Sequence, residues 1–384
     1  MFGITLVGNS GGSVATTSYT RAVSYTHALA TAWSSTYRPF DSSITTPQWR
    51  SVLNACLPAF WGVTLLCRAS ELYFGSFTPP QYDLTVEHRM VEMMRSHVLP
   101  FVCCVIMATS TAPQHGSTAV MAACIAGVVC ANTVLGGLLT GWIISVLIGR
   151  VLYTCICLGT PATMTNLIAG GGVGIVVAII MAPVLPYLAK LSQYIRLALH
   201  IAMSGQVPGL GFVIGCMFCY GSKVGYYHAI GLPVILIEME RGYASLFGAI
   251  DECTLVLVSA GICLGNLILP RHLDVADAEL CKRGIRINLL FGDFIEAAYP
   301  FMEQSNIINF SGYLASGLST ELLTGQHPLN VLSMAYLPLP VSIWLAFDRR
   351  RIALAYLTAL VVSFLGTVIS NAVTRVKVDN RKND

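Results

Sequence analysis

Charge is what this chain has least of. Of its 384 residues, 22 are Lys or Arg and 19 are Asp or Glu, together 11%, where soluble globular proteins carry roughly 25%. A surface that poor in charge would not keep a monomer dissolved, which weighs against a soluble enzyme, a nucleic-acid binder or a disordered scaffold. The formal net charge of +3 is too small and too scattered to attract a polyanion, so no nucleic-acid partner is expected. Chemistry-bearing motifs are equally scarce. Neither G-x-x-x-x-G-K-[ST] nor G-x-G-x-x-G occurs, which removes a nucleotide-powered pump domain from this chain. There is no H-E-x-x-H, and the eight histidines are scattered. Cys216 and Cys219 form a C-x-x-C with no second pair, so neither a zinc site nor a redox motif is supported. No catalytic residue, metal ligand or cofactor is expected. The thirteen cysteines sit mostly within apolar runs, where cysteine behaves as a small hydrophobe, and they read as reduced packing residues.

What the chain does have is hydrophobic length. Apolar residues make up 55%, and at about 20 residues per crossing the sequence predicts an all-α polytopic membrane protein. It has room for about eight to ten transmembrane spans, some of them broken or reentrant. Residues 1–48 differ from the rest: rich in Ser, Thr and Tyr, basic only at Arg21 and Arg38, they form an N-terminal polar or interfacial segment. A first apolar run, 52–67, is interrupted by Pro58, and a charged interval follows at 68–97. Further runs crowd together from 98 to 269, then resume at 287–301, 307–323, 329–347 and 352–373. The loop 270–286, with Arg271, Lys282, Arg283 and Arg286, is the densest interior basic stretch, which places it in the cytoplasm. The last run has Arg349–Arg351 before it and Arg375, Lys377, Arg381 and Lys382 after it, so basic charge does not orient it.

Several runs are too short to cross a bilayer. Backbone N–H and C=O groups must be paired in hydrocarbon, so a broken helix survives only where protein or a watery cavity surrounds it. Secondary transporters bind their substrates at such breaks. Two regions qualify, 206–242 with Pro208 and Pro233, and 289–325 with Pro300. Lys223, His228, Glu238 and Glu296 lie in or beside them, and ionisable groups at membrane depth suggest function by default. Glu296 is flanked by apolar residues and followed by Pro300, so its carboxylate needs ligand hydroxyls, a cation or a proton; a structural carboxylate bonded to nearby backbone is the other reading. His228 can donate and accept at once, which suits a polyol as well as it suits a satisfied core position. Lys223 could meet an anion or snorkel to an interface. Glu238, Glu240 and Arg241 read as an aqueous loop. Asp251 and Glu252 precede an apolar run, where acids favour a helix start, and no site role is expected of them.

From about 50 to 325 the order and spacing of several segments resemble the membrane-embedded IIC component of the bacterial sugar phosphotransferase system, in its mannitol/fructose branch. The segments are 54–62 with its internal proline, the small-residue-rich 131–141, Asn166 before Gly170-Gly171-Gly172, the Pro-containing 180–186, 227–233 with His228 and Pro233, and Gly292-Asp-Phe-Ile-Glu-Ala-Ala-Tyr-Pro-Phe301. The resemblance implies a membrane domain over 49–325, with 326–384 adding C-terminal spans and a short basic tail. It implies a multi-pass carrier of a sugar or sugar alcohol in a bacterial inner membrane, expected as a homodimer in the lipid bilayer. Glu296 and His228 would line the sugar site, with Asn166 in support; Lys223, Tyr227 and Asp293 complete the candidate binding set. The family's paired asparagines correspond here to Lys223 and Val224, the asparagine beside its histidine to Tyr227, and the histidine before its glutamate to Ile295. No phosphorylated IIA or IIB domain is appended, so separate IIB and IIA proteins would be the partners. A carrier uncoupled from phosphorylation, and a membrane subunit or sensor that does not transport, remain open.

Overall fold

The computed structural model describes residues 18–35, 47–74, 93–131, 133–158, 160–203, 207–240, 245–271, 274–324 and 333–383. All of the regular structure among them is helical, apart from one antiparallel bridge between Ser245 and Ser333. The α-helices of six or more residues are α1 (Ser18–Ala32), α2 (Trp49–Phe74), α3 (Leu99–Thr111), α4 (Gly116–Gly127), α5 (Val134–Cys157), α6 (Val173–Met181), α7 (Leu185–Met203), α8 (Leu210–Val224) and α9 (Leu232–Met239). They are followed by α10 (Leu246–Ile268), α11 (Val275–Phe291), α12 (Tyr299–Gln304), α13 (Asn306–Leu323), α14 (Leu339–Leu345) and α15 (Arg349–Asn383). Four stretches are long and apolar enough to cross a membrane: Val134–Cys157, Thr163–Met181, Leu246–Ile268 and Arg349–Arg375. A fifth arises if Ser96–Thr111 and Pro113–Gly127, bent by 95° at Ala112, count as one broken span. The chain is therefore an all-α protein with helices able to span a membrane. The described residues hold fewer full-length spans than eight to ten because several apolar runs end early: Leu210–Val224 and Ala229–Met239 are short apolar helices.

Two compact units divide the chain: unit one is 1–194 with 240–242, and unit two is 195–239 with 243–384. Unit one is built on small residues. Ala119, Ala122, Ala123 and Ala126 of α4 pack with Cys104, Ile144, Ile148 and Val177 in one buried cluster. Gly137 and Gly141 let α5 lie directly against α3, where an added methyl would collide with the backbone carbonyls of Pro100 and Cys104. Small residues permit this close approach where helices cannot rely on a hydrophobic driving force. Thr133 caps α5, its Oγ1 accepting from the Gly136 N–H at 3.1 Å. Glu240 accepts from the Val134 N–H at 2.7 Å, a carboxylate set at the positive end of a helix. It is buried, so the expected aqueous loop is corrected at this residue; Arg241 lies outside the described residues.

In unit two α13 and α15 pack closely, with Gly366 seated against Ser311, and α10 meets α15 through Gly261 and Gly265. Polar side chains bond between these helices: Asn371 donates to Asn266 Oδ1 and to the Leu269 carbonyl, both at 2.8 Å. Both predicted breaks are present. Helix α8 ends at Gly225 with φ 91°, and a π-helical turn, Tyr227–Gly231, leads into α9. Helix α11 ends at Gly292 with φ 63°, and the 3-10 turn Ile295–Ala297 leads into α12. The described cysteines are free.

Candidate functional site

The acids of unit two divide by the work they do. Glu321 accepts from the N–H groups of Gly209 and Phe212, both at 2.9 Å, and so caps the start of α8. Glu238 accepts from the Phe247 N–H at 2.9 Å and from the Ser245 hydroxyl, closing the start of α10. The expected aqueous loop is thus corrected at Glu238 as well: its carboxylate satisfies helix-end donors that have no partner within the helix. Asp274 does the same for α11, accepting from the Ala276 N–H at 2.9 Å.

Asp251 and Glu252 have no such work. They were expected at a helix start, yet α10 is capped by Ser245, so the two acids fall roughly 9–10 Å beyond the cap at about 1.5 Å per residue. Their exposures are 2% and 0%. Asp251 Oδ1 and Glu252 Oε2 have no hydrogen-bond partner. A π-helical segment, Glu252–Leu257, starts at the pair, a local widening that recurs at functional sites. The Tyr227 hydroxyl lies 2.5 Å from the Tyr336 hydroxyl and interacts with the Asp251 carboxyl. Glu252 Oε1 meets the Leu337 N–H at a long 3.5 Å. Gly292 closes over it: a Cβ there would stand 2.8 Å from Glu252 Oε1 and 2.6 Å from the Leu337 carbonyl. Tyr336 holds a positive φ of 61°, which is uncommon and costly for a non-glycine residue. Burial, and next the negative field of Asp251, pushes its phenol well above the ordinary tyrosine value, so it stays a neutral hydroxyl.

The sequence-predicted residues are partly gathered here. Tyr227 belongs to the cluster. Asp293 acts on Asp251 and Tyr336 through its charge, and Glu296 acts in turn on Asp293 and Tyr299. Desolvation and then Glu296 raise the Asp293 carboxyl above its usual range, although the residue retains an exposed surface. Glu296 itself is exposed and lies outside the long apolar helices. The reason is local: Ile295, Ala297 and Ala298 turn inward along the 3-10 turn, and Glu296 turns out. Lys223 donates to Asn309 Oδ1 at 3.1 Å. Beside it, Ser222 bonds the Tyr299 hydroxyl at 2.7 Å. Asn166 belongs to unit one, where its Oδ1 is buried without a partner. The backbone of His228 forms part of the π-helical turn, while its side chain lies outside the described residues.

A cleft of about 350 Å³ in unit two is lined by Asn266, Arg271, Asp274, Lys282 and Gln304, among others, and contains none of the predicted site residues. Among the described residues, no group of three His, Cys, Asp or Glu side chains is placed to hold a metal ion. No known family model matches the chain, and no curated protein matches it.

Proposed function

We propose that this chain is a membrane carrier for a small, densely hydroxylated solute, a sugar or sugar alcohol. It works as the IIC-type transport component of a phosphotransferase system in a bacterial inner membrane. In this reading the broken and shorter helices bring the number of spans to eight to ten, the protein is a homodimer, and separate IIB and IIA proteins deliver the phosphoryl group. The observation that carries the reading is that the two interrupted helices meet within unit two: Ser222, ahead of the first break, bonds the Tyr299 hydroxyl beyond the second at 2.7 Å, and Tyr227 of the first break and Asp293 of the second, with Glu296 beside it, act on the same Asp251 carboxyl. Carboxylates accept two hydroxyl hydrogens and phenols both donate and accept, which is the donor and acceptor mixture a polyol requires. Interrupted helices also leave backbone groups for a ligand to satisfy.

Calorimetry on the purified full chain with a panel of hexoses, hexitols and pentitols tests this. One of them should bind, and Glu296→Gln should weaken it by about tenfold, equal to about 1.4 kcal/mol. No binding by any of the panel, or a Glu296→Gln protein that binds as well as the parent, would overturn the assignment. Product analysis in vesicles then separates phosphorylated sugar inside from unmodified solute.

A further inference from the structure

The helix caps account for Glu238, Glu321 and Asp274, and the proposed solute site uses Asp293 and Glu296. Asp251 and Glu252 are left over: consecutive, enclosed, and each with one carboxyl oxygen facing no donor. A lone buried charge is expensive in lipid or in protein, and two side by side repel each other as well. Among the described residues, no cation faces the pair. The titratable groups that face the pair are Tyr227 from the π-helical turn, Asp293 from the loop after α11, Tyr299 from α12, Tyr336 from the segment before α14, Tyr356 from α15 and the adjoining Cys253. Helix α13 contributes the Ser319 hydroxyl, toward Cys253. Cations of the neighbouring helices are engaged elsewhere. Lys223 of α8 donates to Asn309, and the Arg283 guanidinium of α11 lies over the Phe294 ring at 5.5 Å. Among the described residues, the one ion pair is Lys282 with Glu279.

The geometry points to Asp251 and Glu252 as a proton-binding site, linked through Tyr227 to Tyr336. One proton shared by the pair neutralises half its charge and supplies the donor that the bare oxygens lack. The two phenols can carry its movement. Each hydroxyl has a single hydrogen, so with Asp251 ionised the bonds run Tyr336 to Tyr227 to Asp251. When Asp251 holds the proton and donates it, the same bonds run the opposite way. To protonate Asp251, the oxygen of the part-exposed Tyr336 takes a proton from hydronium outside as its own hydrogen passes to Tyr227 and that of Tyr227 passes to Asp251; release runs the same transfers backwards to a water outside. A phosphorylation-driven carrier has no need of such a site, so this inference goes beyond the proposed function and does not depend on which solute is carried.

Infrared spectroscopy of the full chain in lipid tests it without any substrate. Near neutral pH the parent protein should show the C=O stretch of a protonated carboxylic acid, shifted by deuterium exchange. Asp251→Asn with Glu252→Gln should abolish that band, Glu321→Gln should leave it intact, and Tyr227→Phe should shift its frequency by removing a hydrogen-bond partner. The substitutions are isosteric with the protonated acids, so folded protein is expected; if the double variant does not fold, the Tyr227→Phe shift decides. Absence of the band in the parent, its survival in the folded double variant, or no shift in Tyr227→Phe would overturn the proposal. So would its loss on adding sodium or potassium chloride at constant pH, which would assign the site to an inorganic cation. Each of these readings is independent of sugar binding, so failure here and failure of the carrier reading are distinguishable.

Discussion

In unit one, between α3, α4 and α5, buried polar groups mostly serve their own helix. Thr140 Oγ1 donates to the Gly136 carbonyl and Ser145 Oγ to the Trp142 carbonyl, each at 2.7 Å. In unit two they reach across. Asn288 donates to Ser259 at 3.0 Å, Ser305 pairs with Ser370 at 2.6 Å, and Ser342 bonds both Ser333 and the Tyr356 hydroxyl, at 2.7 and 2.9 Å. Both units use glycine to bring backbones together, but among the described residues it is in unit two that this closeness encloses carboxyls that cap nothing. A polar side chain that returns to its own helix leaves neighbouring helices free of obligation to one another. One that bonds to the next helix fixes their register, and it also builds the kind of interior in which a proton or a polar solute can be held. Unit one reads as packing, and unit two as packing plus chemistry.

The largest effect that comparison predicts belongs to the packing side. Gly137→Val places a branched side chain where the Pro100 carbonyl already touches the helix. Neither backbone can withdraw without unseating the alanine cluster behind it, so the cost is about 3 kcal/mol or more. Fluorescence-monitored size-exclusion after heating should find little folded protein. A variant as heat-resistant as the parent would mean that α3 and α5 do not meet as closely as described.

A smaller effect separates the two kinds of polar contact directly. Asn371→Ala removes two hydrogen bonds between helices and leaves Asn266 Oδ1 and the Leu269 carbonyl short of a donor. At about 1–3 kcal/mol for unsatisfied buried groups, its midpoint of thermal inactivation should fall clearly. Ser145→Ala, which removes a bond the helix does not need, should fall by much less. Equal losses would erase the distinction between the units.

How much of this could be read from the sequence follows the same division. The all-α class was legible from scarce charge and long apolar runs. The two breaks were legible too, because Gly225, Pro233, Gly292 and Pro300 punctuate their runs with residues that end or bend helices. The outward orientation of Glu296 was not legible, because apolar neighbours in sequence do not reveal that a 3-10 turn directs Ile295 and Ala297 inward and Glu296 outward. Asp251 and Glu252 were missed for the converse reason. Acids ahead of an apolar run resemble a helix start, and the true start, six residues earlier at Ser245, depends on a cap from Glu238. One signal was present: Ser245 with Leu246, Phe247 and Ile250 is itself a capped, apolar first turn, and extending the helix back to it would have put the pair inside. No pattern in the sequence brings Tyr336 to Tyr227, since those residues are 109 positions apart and no periodicity relates them.

The smallest predicted effect concerns the rim of the carboxyl cluster and is read against pH. Desolvation and then Glu296 raise the Asp293 carboxyl above its ordinary value, which is about 3.9 in an unfolded chain. An acid that holds its proton more tightly when folded favours the folded state while it is protonated. It loses that advantage as pH climbs from the unfolded value through the raised one. Relative to Asp293→Asn, the parent protein should therefore be more stable at mildly acidic pH than near neutrality, the reverse of a salt-bridged carboxylate. Because the residue keeps an exposed surface, the difference should stay below about 1 kcal/mol. Paired thermal-inactivation curves for the two proteins across that range would resolve it. If the gap between them instead widens in the parent's favour as pH rises, a cation has been holding Asp293 ionised. The described contrast would then fail, because unit two would be neutralising its acids with counter-charges and would need no proton to do so.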